Sequence, residues 1–298
     1  MRKVFILNNS VKKQVKYELI NNIKKNMSEE NIIIEKTISS RHATLIAQKY
    51  AKDPVPTHLY ICGGDGTIHE VVNGVANQSH IKISIIPIGT GNDFIKSFTG
   101  LKKEDFFDLS NYKNPIEKDI DLLKINGEYA INTISLGFDV KVSEEVNKMK
   151  REHRLTGKSA YYFCMLKVLS QLKNDPYEIH IDKKETKGKY TFVVFSNGKY
   201  YGGGYMPCPQ AKFDDGIIDI CLIKEISKWQ LLRLAKKYEK GDHVNYPKYA
   251  QIYKGKAIHV NTGNEKIHVN LDGEIRQMSN LVIEVEKKAI HLLLPNKG

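Results

Sequence analysis

The chain is short of paired cysteines, of long apolar runs and of nucleic-acid-binding signatures, and each shortage removes a class of function. Its four cysteines, Cys62, Cys164, Cys208 and Cys221, are scattered, with no C-x-x-C pair and no clustered histidines. That spacing argues against a zinc site and a disulfide framework, and fits a reduced compartment where cysteine acts as a small hydrophobe. Apolar stretches such as Ile83–Ile86 and Ile290–Leu294, each interrupted by a polar residue, are far too short to cross a bilayer. Met1–Leu7 sets charges before an apolar stretch too short for a signal-peptide core, so a soluble, cytoplasmic protein is expected. The Walker pattern G-x-x-x-x-G-K-[ST] is absent, and no G-x-G-x-x-G follows the first strand, which excludes an ordinary P-loop or dinucleotide site. No helix-turn-helix, RNA-recognition or zinc-finger pattern occurs, so nucleic acid is not an expected partner.

What is present is a basic, globular chain. Its 298 residues suffice for one large domain or two ordinary ones, and 41% hydrophobic content rules out wholesale disorder. A net charge of +12 either solubilises the surface or draws the protein to anionic membranes and phosphorylated substrates.

Periodicity divides the chain in two. Lys3–Asn8, Asn31–Glu35, Thr57–Cys62 and Ile83–Pro87 read as buried strands. Between them, Val11, Val15, Leu19, Ile20 and Ile23, then Ala43, Ile46, Ala47, Tyr50 and Ala51, then Ile68, Val71, Val72 and Val75 recur at helical spacing. Strands alternating with helices imply a parallel sheet covered on its faces, a Rossmann-like α/β domain. The pattern changes near Lys118–Ile125. Asp119–Ile125 and Glu128–Ser135 flank Asn126-Gly127, a hairpin signal. Helical stretches Val140–Lys150 and Lys158–Leu172 follow, then strands at Tyr177–Ile181, Tyr190–Ser196, Ile217–Lys224, Lys256–Asn261, Lys266–Leu271, Leu281–Glu286 and Ala289–Leu294. One helix, Lys228–Tyr238, interrupts them behind a Ser227/Gln230 capping box. The fold class is therefore α/β plus mainly β, with a β-rich, sandwich-like second domain.

Two loops carry chemistry. Leu59–Cys62 runs into Gly63-Gly64-Asp65-Gly66-Thr67 and straight on into a helix, so free backbone N–H groups and a helix dipole converge on one spot. Ile83–Pro87 ends in Ile88-Gly89-Thr90-Gly91-Asn92-Asp93, and neighbouring parallel strands share the edge where ligands bind. Together they read as a polyphosphate site, with Asp65 and Asp93 able to hold magnesium. A plain glycine-rich turn is the bland alternative for either loop alone.

Gly63–Thr67 extended by Ile68-His69-Glu70-Val71-Val72-Asn73-Gly74, followed by Gly89-Thr90-Gly91-Asn92-Asp93, resembles the catalytic domain of the diacylglycerol kinase family. That family includes bacterial lipid kinases and sphingosine kinases. NAD kinases share the short GGDGT core but lack the E-V-V-N-G extension and the second loop. Asp119–Gly127, Ile131–Asp139, Gly157–Tyr161, Gly202-Gly203-Gly204 through Asp215-Gly216, and Asp272-Gly273-Glu274 are similar to later family motifs, so the likeness covers nearly the whole chain. It implies two domains with a cleft between them. Residues 1–122, rejoined by 287–298, would bind ATP, and 123–286 the lipid.

The resemblance also implies roles. Asp272 would be the general base and Glu274 its neighbour, although an Asp-Gly turn between Lys266–Leu271 and Leu281–Glu286 explains the same residues without catalysis. Asp121 would complete a magnesium network with Asp65 and Asp93, and Asp119 is the tempting misassignment on the same strand. Asp215, with the carbonyls of Lys212 and Ile217, matches a structural magnesium position. Asn8, Ser10 and Thr37 would lie near the nucleotide with Gly63, Gly64, Asp65, Gly66, Thr67, Gly89, Thr90 and Asn92. The family's N-P-x-[SA]-G-like turn is replaced by Asn8-Asn9-Ser10-Val11, which leaves that loop's shape open. His69 is expected to pack on its helix, Trp229 to anchor its helix, and Tyr161, Tyr162 and Phe163 to join the core. The basic stretch Lys148, Lys150, Arg151, His153, Arg154 and Lys158 is either a membrane contact or a solvated connection. The implied activity is ATP- and magnesium-dependent phosphorylation of a lipid hydroxyl, diacylglycerol first. Sphingoid bases, phosphatidylglycerol, polyprenols or, less readily, NAD are the alternatives. The expected partners are a lipid at the membrane surface, touched peripherally, and a second subunit if a sheet edge pairs.

Overall fold

The computed structural model describes residues 1–27, 32–151 and 157–297. In chain order the first elements are β1 (Arg2–Leu7), α1 (Lys13–Asn26), β2 (Ile32–Lys36), α2 (His42–Ala51), β3 (Thr57–Gly63), α3 (Asp65–Val75), β4 (Ile81–Pro87), α4 (Asp93–Lys96) and α5 (Lys103–Phe107). There follow β5 (Ile116–Ile125), β6 (Glu128–Ala130), β7 (Thr133–Gly137), α6 (Phe138–Arg151), α7 (Gly157–Val168), β8 (Asp175–Ile181), β9 (Lys184–Ser196) and β10 (Ile218–Lys224). The last are α8 (Lys228–Lys240), β11 (Ala250–Gly255), β12 (Ala257–Asn261), β13 (Ile267–Leu271), β14 (Glu274–Met278) and β15 (Leu281–Leu294). They form two units, Met1–Ile120 with Lys288–Gly298, and Asp121–Lys287.

In the first unit the strands run in the order β2–β1–β3–β4, all parallel, and the end of β15 adds beside β4 at His291 and Leu292. β3 is buried along its whole length, as a strand covered on both faces must be, which explains its unbroken THLYICG run. The His58 ring lies 2.8 Å from Ser84 Oγ, and Ser84 Oγ donates to the Leu293 carbonyl at 2.8 Å, tying the returning segment to the sheet. The order in which strands are added reverses between β1 and β3, so a ligand crevice is expected beyond the carboxyl ends of those two strands.

The second unit is antiparallel. Asn126 and Gly127, at φ 45° and 92°, form the two-residue turn between β5 and β6. The path β14–β13–β7–β9–β8–β12–β15 is joined at β9 by β10, which pairs with β11. Strand alternation divides the interior. Val193 and Phe195 of β9, with Ile218, Ile220 and Leu222 of β10, face the sandwich core. Phe192 and Val194, with Cys221 and Ile223, face α6, α7 and α8.

The structure differs from the sequence reading in several places. β11 and β14 are strands that periodicity does not announce, because each pairs on one side only and alternates weakly. β9 reaches back to Lys184 through a polar, exposed stretch that pairs with β8. Asp121, Leu122 and Lys287 fall in the second unit, since Asp121 N–H donates to the Phe213 carbonyl at 2.6 Å there. Trp229 does not anchor α8, being 75% exposed, and Tyr162 and Phe163, at 44% and 50%, lie outside the core. The side chains of Lys150, Arg151, His153, Arg154, Lys158 and Tyr161 lie outside the described residues.

Candidate functional site

The two glycine loops of the first unit touch through their backbones. Ile88 and Gly89 N–H both donate to the Gly63 carbonyl, at 3.1 and 3.2 Å. A Cβ on Gly89 would stand 2.4 Å from Gly64 Cα, and one on Gly63 2.4 Å from Thr67 Oγ1, so both positions exclude any side chain. At Gly66 a Cβ would meet nothing within 4 Å. Packing within the protein therefore gives no reason for glycine there. Thr90 is exposed at the tip of the second loop.

Asp65 opens α3, and its Oδ1 accepts from Phe94 N–H at 3.1 Å, which places it beside Asp93 at the start of α4. Burial first, and then the Asp93 carboxylate, push Asp65 above the ordinary carboxylate range. Two carboxylates that repel one another fit a magnesium ion, which favours oxygen ligands and would relieve the repulsion. Lys96 Nζ balances part of the charge, 2.6 Å from Asp93 Oδ1. Asn92 takes the left-handed conformation at φ 52° and donates to the Gly89 carbonyl at 2.8 Å. Its Oδ1 is buried without a donor among the described residues. A lone acceptor there suits the ion, or a water on it, better than a bare phosphate oxygen.

Asn8, Ser10, Thr37 and Thr67 line one cavity of about 360 Å³ at the predicted end of the sheet. Asn8 resolves the missing proline and glycine. Its Oδ1 accepts from Ser10 N–H at 2.9 Å, and its amide donates to Thr67 Oγ1 at 2.9 Å, so hydrogen bonds fix the turn and lock it to the phosphate loop. Thr37 Oγ1 accepts from Asn9 N–H at 3.2 Å. Glu70 also lines the cavity and was singled out only as part of a family motif. Its carboxylate accepts from Arg41 N–H at 2.8 Å and Ala43 N–H at 3.0 Å, holding the loop that leads into α2. Gly74 completes the motif by letting α2 approach α3, since a Cβ would lie 2.6 Å from that of Ala47.

In the second unit Asp272 and Gly273, at φ 51° and 101°, do form a tight hairpin turn, but between β13 and β14 rather than before Leu281. The Asp272 carboxylate also accepts from three successive main-chain N–H groups, Ile131 at 2.7 Å and Asn132 and Thr133 at 2.9 Å each. Glu274 is half-buried, 3.7 Å from Arg276. Asp121 is 3% exposed. Its Oδ2 accepts from Gly216 N–H at 2.8 Å, which brings it to the loop where Asp215 accepts from Ile217 N–H at 3.1 Å. Lys212, at the start of that loop, is exposed. Asp119 faces His291 at 2.6 Å at the surface of the first unit.

A buried polar network that local motifs do not reveal continues from the turn. Gly273 N–H donates to Asn270 Oδ1 at 2.8 Å, and Asn270 Nδ2 reaches Ser135 and Ser143 at 3.1 Å and Asp139 at 3.4 Å. Asp139, 2% exposed, is also bonded by Ser135 and accepts from Tyr201 O–H at 2.9 Å. It forms the one charged point in an otherwise apolar cavity of about 30 Å³, walled by Phe138 and Val142 of α6, Met165 of α7, and Leu231, Leu234 and Tyr238 of α8.

Comparison with known proteins agrees with this anatomy. The diacylglycerol kinase catalytic domain model matches residues 2–125, and that of the YegS C-terminal NAD kinase beta sandwich-like domain matches residues 132–294. A Staphylococcus haemolyticus protein named as a lipid kinase is 32% identical over 248 residues, 83% of this chain and 78% of its own. The diacylglycerol kinase of Bacillus subtilis is 30% identical over 242 residues, 80% of this chain and 78% of its own. A solved Bacillus anthracis structure described as a diacylglycerol kinase shares the fold, with a TM-score of 0.79 over 99% of this chain and 95% of that one, at 24% identity. With both halves matched in order and relatives aligned along most of its length, the chain belongs to the diacylglycerol kinase family and is a lipid kinase, a phosphotransferase acting on an alcohol.

Proposed function

We propose that this lipid kinase moves the γ-phosphoryl group of ATP to the free hydroxyl of diacylglycerol, giving phosphatidic acid and ADP. The observation that carries the reading is the contact of Gly64 with Gly89, which joins the two glycine-rich loops that follow the neighbouring parallel strands β3 and β4. Such an edge stabilises polyphosphate through main-chain N–H groups and the α3 dipole. In this reading Gly63–Thr67 and Gly89–Asn92 cradle the phosphates, and the cavity at Asn8, Ser10 and Thr37 takes the rest of the nucleotide.

Asp272 is the proposed general base. It accepts the hydroxyl proton as the O–P bond forms and ADP departs, and the three amides that hold its carboxylate keep it oriented. Glu274 is assigned to the same reacting region. Asp65 and Asp93 would hold magnesium, with Asp121 as the third carboxylate of the reading, and the ion when bound neutralises phosphate charge. Asp215 with the Lys212 and Ile217 carbonyls is the proposed second, structural position.

The apolar acceptor is assigned to the cavity under α6, α7 and α8. At about 30 Å³ it has room for little more than one water, so an acyl chain enters only if those helices part. Asp139 at its end supplies the polar contact for the head of the lipid. The lipid itself is drawn from an anionic surface by a chain of net charge +12.

The test is incubation with labelled ATP, magnesium and, separately, diacylglycerol, a sphingoid base, phosphatidylglycerol, a polyprenol and NAD. The label should pass into organic solvent with the mass of phosphatidic acid. Label retained in water as phosphorylated NAD would sink the reading, and preference for another lipid would replace the acceptor.

A further inference from the structure

Two helices that wall the apolar cavity turn apolar or basic stripes outward. Along α7, Cys164, Met165 and Val168 are buried, while Tyr162, Phe163 and Leu166 are 44%, 50% and 41% exposed. A helix apolar on both faces is ordinarily buried on both. Here the outer face has no cover among the described residues. On α8 the inner face is Leu231, Leu234, Ala235 and Tyr238, and the chain's only tryptophan, Trp229, points outward at 75% exposure. Trp229, Arg233, Lys236 and Lys240 follow at intervals of four, three and four residues, a single exposed stripe. The helix carries five basic residues, Lys228, Arg233, Lys236, Lys237 and Lys240, against one acidic residue, Glu239.

We propose that the outer faces of α7 and α8 are the surface by which this protein docks on an anionic bilayer, with Trp229 seated at the headgroup level. The inference rests on the lipid-kinase reading for its purpose, though not for its geometry. Charge selects the occupant. A tryptophan at the start of a basic stripe matches an interface with apolar depth and negative headgroups, where an amphipathic helix lies in the plane of the membrane. No helix among the described residues is long and apolar enough to cross a membrane, so contact by a face is the form of attachment the structure offers. The location has a further consequence. Met165 on the inner side of α7 and Leu231 on that of α8 line the cavity, so a bilayer that engages the outer sides touches the same two helices that must part for an acyl chain.

Because Trp229 is the only tryptophan, the fluorescence of the unmodified full chain reports on this face alone. Vesicles of phosphatidylcholine with about one-third phosphatidylglycerol should shift its emission to the blue, and acyl-brominated lipid should quench it. Pure phosphatidylcholine should do neither, and added salt should weaken the effect. Trp229→Gln and Phe163→Ser should each lower partitioning onto the anionic vesicles about tenfold. Turnover on a short-chain acceptor presented below its micellar concentration should be unchanged in both. Sedimentation of the protein with anionic vesicles while Trp229 stays unquenched would overturn the proposal, because another face would then be docking. A blue shift that depends on protein concentration without vesicles would also overturn it, giving the face to a second copy of the chain. The two readings fail separately: lipid phosphorylated with no docking removes this surface, and docking with no lipid phosphorylated removes the kinase reading.

Discussion

Substitution of Gly66 distinguishes a glycine kept for the fold from a glycine kept for a ligand. Gly66 is the second residue of α3, its φ is not positive, and an added Cβ would meet nothing within 4 Å. Gly66→Ala should therefore stabilise the free protein, by roughly 0.5–1 kcal/mol, through higher helix propensity and a less mobile unfolded chain. For a unit of this size that is a rise of about 1–4 °C in the melting midpoint. If phosphate oxygens rest against this amide, the same methyl displaces them by roughly 1 Å, and misplacement of that order costs on the order of 10²-fold in rate. The expected signature is opposite in sign: a higher midpoint in differential scanning fluorimetry and a kcat/KM for ATP lower by about 10- to 100-fold. Gly89→Ala is the comparison. Its methyl would stand 2.4 Å from the Gly64 backbone, so the midpoint should fall by the equivalent of about 1–3 kcal/mol along with activity. A stabilised Gly66→Ala enzyme with unchanged ATP kinetics would refute the placement of phosphates on this loop.

Three further outcomes are expected. Glu70→Gln leaves one of the Arg41 and Ala43 amides without a carboxylate oxygen, so steady-state kinetics should show the KM for ATP rising several-fold more than kcat falls. Asp65 binds a proton more tightly when folded, so the free protein loses stability as pH rises through that raised value, and magnesium competes with the proton. The magnesium-induced rise in midpoint should accordingly grow with pH, and Asp65→Asn should remove that pH-dependent part. Burial pushes His58 down to about 3 and His243 down to about 4, so both stay neutral in the fold while the unfolded rings charge below about 6.5. Stability measured in urea should hold above about pH 6.5 and fall by roughly 1–3 kcal/mol per ring toward pH 4, with His58→Gln flattening part of the slope.

The first unit was legible because its strands are buried on both faces and its helices on one, so each period appears unmixed in the sequence. β3 and α3 are the clearest cases, and the loop between them carries the phosphate motif. The purpose of Glu70 was not legible, because its partners lie 27 and 29 residues upstream and are backbone amides that leave no side-chain pattern. The same holds for Asp139, whose bond to Asn270 spans 131 residues. Tyr162 and Phe163 were expected in the core, and Trp229 as the anchor of its helix, by a rule that large aromatics are interior. The corrective signal was present: buried Leu231, Leu234, Ala235 and Tyr238 already fill one face of α8, which leaves Trp229 with the basic residues on the other.

Asp272 shows why turn and catalyst were not competing explanations. The residue does sit first in a two-residue hairpin turn, but such a turn accepts asparagine equally well. The three amides of Ile131, Asn132 and Thr133 ask for more, since Oδ2 receives the first and Oδ1 the other two. Asparagine would keep one acceptor oxygen and turn its NH₂ toward the remaining donor. Asp272→Asn therefore carries a structural cost of about 1–3 kcal/mol whatever its chemical role. A base assigned to this carboxylate adds a second cost, roughly 10²–10⁴-fold in kcat, that lowering the assay temperature does not recover. Loss of activity in proportion to the unfolded fraction, with full kcat in the folded remainder, would leave Asp272 as the clamp between β13 and the start of β7. Loss of kcat in a protein still folded and still binding ATP would make it the base as well.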